Sequence, residues 1–221
     1  MSNIDLVKEV RNRSGASMSL CKRVLEQSDN DVEKALEALK KQGVIRAADR
    51  AGRIATEGKL AVYNHNGAKT ALAEINCETD FCAKSPDFLA FCDAVTLQIV
   101  GMSPAYVDVK DIPSSAFAQQ KEIFEAVLRE EKKPEIAWPK IIEGKLKKWQ
   151  TEVCLMVQES VVHPGKTIEQ LRVELVAKCG ENVVVRRFVR WEIGEGLDAK
   201  PVEDYASSVW AAIHPGDTLK G

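Results

Sequence analysis

The stretch LAVYNHNGAKTALAEI, residues 60–75, decides the fold. Asn66-Gly67 separates two runs rich in strand-favouring residues, and both residues tolerate the positive φ that a tight hairpin turn demands. Residues 60–65 and 68–75 therefore predict an antiparallel β-hairpin. Its second strand runs directly into Asn76-Cys77-Glu78-Thr79-Asp80-Phe81-Cys82-Ala83-Lys84. Ser85-Pro86 then has the composition of a helix start, with serine at the N-cap and proline at the first helical position. Phe88, Phe91, Ala94, Val95 and Ile99 supply that helix with an apolar side.

Upstream of the hairpin the periodicity is helical. Ile4, Val7 and Val10 mark a first short helix ending near Gly15. Leu20, Cys21, Val24 and Leu25 mark a second, from about Ser17 to Gln27. Asn30 and Glu33 have capping-box spacing ahead of a third helix, whose stripe is Val32, Ala35, Leu36 and Leu39 and whose stop is Gly43. Residues 44–57 carry Arg46, Arg50 and Arg53 at three- and four-residue steps, which reads as a solvated linker helix with one basic face. Downstream, Pro104 and Pro113 mark an irregular crossing, and helical patterns follow at 115–131 and 138–149. Thr167 and Gln170 cap a further helix, Asn182–Ile193 reads as a strand, and 202–213 as a last helix. Few strands, two of them joined by a tight turn, predict an α+β fold: a three-helix domain at 1–44, the linker helix at 45–57, a core of a small antiparallel sheet packed by helices at 58–198, and a C-terminal helix and tail at 199–221.

The totals narrow the function. The chain has 221 residues, 45% hydrophobic and 29% charged, the balance of a globular protein with a substantial core. A formal net charge of −2 disfavours nucleic acid as a direct ligand. No run approaches the roughly 18 apolar residues of a membrane span, and the N-terminal residues lack a signal-like apolar stretch, so a cytoplasmic protein without membrane contact is expected. Six cysteines and three histidines contain no C-x-x-C pair. Cys77 and Cys82 alone, five residues apart, support zinc only weakly, and reduced, mostly core thiols with no metal or cofactor are expected. No phosphate-binding, zinc-protease or serine-hydrolase motif occurs. Cys82 with His65 sketches a thiol nucleophile and its base but lacks an orienting third group. No catalytic residue is assigned, and an enzyme is not expected.

Thr79-Asp80-Phe81 admits two readings. In one, Thr79 or Asp80 caps a turn and Phe81 plugs the core. In the other, an aromatic ring projects from a stiff strand end beside a negative charge, ready for a partner's pocket.

Here the residues resemble the bacterial translation elongation factor Ts family. Leu6-Val7-Lys8-Glu9-Val10-Arg11, Ser14-Gly15-Ala16, Met18 and Cys21-Lys22 look like its opening; Asn76 to Phe81 with Ala83-Lys84 is similar to its central signature. Ile141 to Lys145, Lys166-Thr167-Ile168 and Arg187 to Gly196 follow in the family's order. The resemblance implies a nucleotide exchange factor for the GTPase elongation factor Tu, with a ubiquitin-associated-like N-terminal domain. It implies that Asp80 and Phe81, beside Thr79, enter the GTPase near its magnesium site, and that Arg11, Gly15, Ala16 and Met18 lie on an N-terminal contact surface. Cys82 stands where the family usually has valine, and Met18-Ser19-Leu20 departs from its usual double methionine and acid. Longer members carry two related core halves; one hairpin here resembles the short form, which implies a homodimer. A scaffold subunit without exchange activity is the alternative.

Overall fold

The hairpin forms as its turn chemistry dictates. In the computed structural model, strand β1 (Glu57–His65) pairs antiparallel with β2 (Lys69–Cys77), from Glu57 opposite Cys77 to His65 opposite Lys69. Asn66 and Gly67 take φ of 52° and 74°, the Ala68 N–H donates to the His65 carbonyl, and the Asn64 side chain accepts from the Gly67 N–H. β3 (Val184–Glu192) completes a three-stranded antiparallel sheet in the order β1-β2-β3. The α+β reading holds. The structure describes residues 3–14, 16, 18–197 and 213; Gly15, Ser17 and the helix expected over 202–213, Ile213 apart, lie outside the described residues.

Alternation along β2 sorts the sheet's faces. Ala71, Ala73, Ile75 and Cys77 are buried, while Leu72, Glu74 and Asn76 point the other way and are only partly covered. The buried face receives α5 (Pro86–Met102), whose Phe88, Phe91, Val95 and Ile99 pack with Ile75, Val183, Val185 and residues of α8 (Ile168–Cys179) in the main core. Each such side chain, fully removed from water, contributes roughly 1.5–3 kcal/mol. Both helices start as their caps require: the Ser85 side chain accepts from the Phe88 N–H, and Thr167 and Gln170 form a reciprocal capping box. On the other face, Leu60 and Val62 of β1 are each 62% exposed.

The N-terminal helices are α1 (Asn3–Ser14), α2 (Met18–Gln27) and α3 (Val32–Arg50), with a cluster of their own built on Val10, Cys21, Val24, Leu25 and Ala35. Two details differ from the sequence reading. Asp31, not Asn30, is the N-cap of α3, accepting from the Glu33 and Lys34 N–H groups, because Asp29 and Asn30 both take positive φ to close α2. And α3 passes through Gly43 without stopping. That glycine lies against α8, where an added Cβ would come within 3.6 Å of Val173 and 3.7 Å of Ala177, and Ala47 on the same face is buried in the main core. Packing on α8 overrides the local stop signal. The arginine-rich stretch is therefore helix only to Arg50.

Between α5 and α8 the chain makes a helical hairpin, α6 (Ser114–Glu130) and α7 (Trp138–Val153), around Leu128, Ile142 and Leu146. Its two ends are tied together: the Ala105 and Tyr106 N–H groups donate to the Val153 carbonyl, and Leu155 N–H donates to Tyr106. Beneath it, buried Gln98 donates to Gln158 and to the Glu159 carbonyl and accepts from the Val161 N–H, so the polar core pair is satisfied. The chain forms two compact units, Met1–Trp191 and Glu192–Gly221. Within the second, Glu195 N–H donates to Glu192 and Leu197 N–H to Gly194, consecutive turns at two positive-φ glycines, Gly194 and Gly196.

Candidate functional site

Where β2 ends, the chain turns into a single helical turn, α4 (Asp80–Ala83). Thr79 is its N-cap, accepting from the Cys82 N–H at 3.3 Å. Cys82 faces inward and is buried. On the opposite side of this short turn from Cys82 and the partly buried Ala83, Phe81 is 83% exposed. It is not a core anchor; the first reading of Thr79-Asp80-Phe81 survives only in its capping half.

What holds the turn in place comes from about a hundred residues away. The Glu181 carboxylate, just past α8, accepts from the Glu78 N–H (3.1 Å), the Thr79 N–H (2.9 Å) and the Thr79 hydroxyl (2.7 Å). In return Glu78 accepts from the Asn182 N–H at 2.7 Å and lies 3.5 Å from the Arg53 guanidinium, while the Asn182 side chain donates to the Arg53 carbonyl. These bonds lower the Glu78 carboxyl below its ordinary range, the Asn182 N–H being the main cause. Arg53 thus belongs to the brace under α4, not to a purely solvated basic face.

Asp80 is exposed and accepts from the Lys84 ammonium at 2.7 Å, one turn on; that bond is the main reason its carboxyl is held below the usual range. Asp80, Ala83, Lys84 and Leu89 line an open cleft of about 620 Å³ with Glu57, Gly58 and Lys59 of β1. Asp80 therefore lines a cleft, and Phe81 stands in solvent beside it on the same fastened turn.

The N-terminal candidates lie on the α1–α2 unit. Arg11 is exposed, Met18 is 39% exposed and Ala16 is partly covered by the helices' own cluster. Ile4, Val7, Met18, Ser19 and Lys22 line a shallow apolar cleft of about 350 Å³ between the two helices. Gly15 lies outside the described residues. Met18 and Asp80 line separate clefts, and neither cleft takes in Phe81. The sequence reading missed Glu181, Glu78, Asn182 and Lys84. Only Lys84 had a visible signal, its i,i+4 spacing from Asp80.

The sketched thiol enzyme finds no support. Cys82 is buried and its thiol is pushed far up, chiefly by desolvation, the reverse of an activated nucleophile; His65 interacts with Tyr63 instead.

Comparison with known proteins agrees with the pattern of motifs. A sequence model of the family described as Elongation factor TS matches residues 5–195. Elongation factor Ts of Carboxydothermus hydrogenoformans is 45% identical over 214 residues, covering 96% of this chain and 98% of that protein. Those of Heliobacterium modesticaldum and Geobacter sulfurreducens are 43% and 42% identical, covering 95% and 93% of this chain and 97% and 95% of theirs. Similarity of that strength over nearly the whole length of both chains leaves one conclusion: this chain belongs to the Elongation factor TS family.

Proposed function

We propose that this protein acts in translation elongation in the cytoplasm as a guanine nucleotide exchange factor for elongation factor Tu, with Asp80 and Phe81 as the intruding pair. The observation that carries the reading is the 83% exposure of Phe81 on a braced helical turn, inside the family's central signature. A large aromatic side chain kept in water on a stiff support is costly unless another surface receives it.

The work asked of it is differential binding. An exchange factor speeds GDP release by binding the nucleotide-free GTPase more tightly than the loaded one, and by linkage GDP weakens the factor's binding by the same ratio. Burying one phenylalanine supplies roughly 1.5–3 kcal/mol. At about 1.4 kcal/mol per decade, Phe81 accounts for one to two decades of acceleration. Asp80 arrives already charged, and its pairing with Lys84 is exposed and easily exchanged for a new partner. Further differential binding comes from an N-terminal grip through Arg11, Gly15, Ala16 and Met18. None of these steps needs a catalytic group or cofactor of this chain.

Phe81→Ala tests the reading. Labelled GDP should leave elongation factor Tu about 10- to 100-fold more slowly with the variant than with the parent, at unchanged melting temperature. A variant of undiminished exchange activity rejects the assignment of Phe81. Parent protein that binds the GTPase without changing GDP release makes the chain a scaffold subunit. We also propose a homodimer through the outer sheet face, supported by exposed Leu60 and Val62 side by side with Leu72, which pairs with Val62.

A further inference from the structure

Under α4 the fold gathers sulfur. The Sγ atoms of Cys77 and Cys82 and a carboxylate oxygen of Glu181 all lie within 4.8 Å of one another. Cys179, outside that trio, places its Sγ 3.8 Å from the Glu181 carbonyl oxygen. Cys77 ends β2, Cys82 lies in α4, and Cys179 and Glu181 flank the Gly180 cap of α8, so three elements converge on one point. Five-residue spacing between two cysteines says little by itself; the other two donors come from about 100 residues further along the chain.

We propose that Cys77, Cys82, Cys179 and Glu181 form a binding site for a thiophilic divalent ion of the zinc class. Three sulfurs and one oxygen suit tetrahedral coordination, in which metal–sulfur bonds of about 2.3 Å hold the ligand atoms roughly 3.5–4 Å apart. Glu181 is already aimed by hydrogen bonds from Glu78 and Thr79, the outer support that ligating carboxylates receive. Three thiolates and a carboxylate around a dication leave net negative charge, and a cation stands beside it. Arg50 Nη1 is buried without a hydrogen-bond partner, 3.1 Å from where a Cβ would be on Gly180, the residue between the two α8-end ligands. The ion would tie β2, α4 and α8 together directly behind Phe81. The site is independent of the exchange reading.

The test uses the full chain, reduced, stripped by chelator and titrated with Co²⁺. One equivalent should give a thiolate-to-cobalt charge-transfer band and the intense ligand-field bands of tetrahedral cobalt, both abolished by one equivalent of Zn²⁺. Cys82→Val should lose the site, with affinity falling at least 100-fold at unchanged far-UV circular dichroism. Glu181→Gln should keep the sulfur band but bind about tenfold or more weakly. Cys92→Ala, outside the cluster, should bind as the parent does. A parent spectrum no different from hydrated Co²⁺ overturns the proposal whatever the variants do, and so does a band that persists undiminished in Cys82→Val.

Discussion

Phe81 and Cys82 are neighbours with opposite fates, one in solvent and one in the core, and that opposition is set by a single helical turn. Gly58, on the strand beside them, shows the same sensitivity of place. It takes φ of 145° opposite Asn76, and an added Cβ would lie 2.1 Å from the Ile75 carbonyl oxygen and 2.7 Å from the Asn76 Cα. Both obstacles are backbone, so Gly58→Ala should destabilise by more than about 2 kcal/mol and lower the melting temperature by at least about 4 °C. A melting curve superimposable on the parent's would show that the strand shifts freely there. Nothing in the sequence marks Gly58 as special, because the close approach is made by a strand eighteen residues away. The exposure of Phe81 was legible only as one of two readings. Hydrophobicity favours burial, and only the short helix and its distant brace turn the ring outward.

At the scale of elements, the turn and cap signals were the most readable part of the chain. Asn66-Gly67, Ser85-Pro86 and the Thr167/Gln170 pair each do locally what their chemistry dictates. Gly43 is where local chemistry misleads, since α8 supplies the surface that keeps α3 helical past it. That surface leaves room: contacts of 3.6 and 3.7 Å are ordinary van der Waals distances. Gly43→Ala should therefore stabilise by about 0.5–1 kcal/mol, seen as a rise of roughly 1–4 °C in melting temperature. A fall instead would mean that the α3–α8 contact cannot yield even slightly. The brace formed by Glu78, Glu181, Asn182 and Arg53 was not readable at all. Its members are ordinary charged and polar residues in sequence, and only the folded topology makes them partners across some 100 positions.

For the whole molecule, thiols and the open sheet face make two predictions. Burial pushes the Cys92 thiol up to about 12 and Cys154 to about 11, from an ordinary 9.0. Because folding raises these values, the unfolded chain ionises first. Their contribution to stability is whole below about pH 9 and is lost progressively as pH climbs toward 11–12. Urea midpoints measured from pH 8 to 11 should fall more steeply for the parent than for a Cys92→Ala/Cys154→Ala variant, although the variant starts lower. Parallel slopes would remove these thiols from the account. Light scattering at micromolar concentration should give twice the chain mass, with Leu60→Lys/Val62→Lys shifting it to one; a single chain mass for the parent rejects the dimer.

The α6–α7 hairpin leaves the body and returns to it through one stitched root, Ala105–Val107 against Val153–Met156, and carries its own apolar centre. A limb fastened that way transmits little of its own variation inward. Whole turns can be added at its tip, or the tip remodelled for another surface, while the sheet and the mount of Phe81 keep their places.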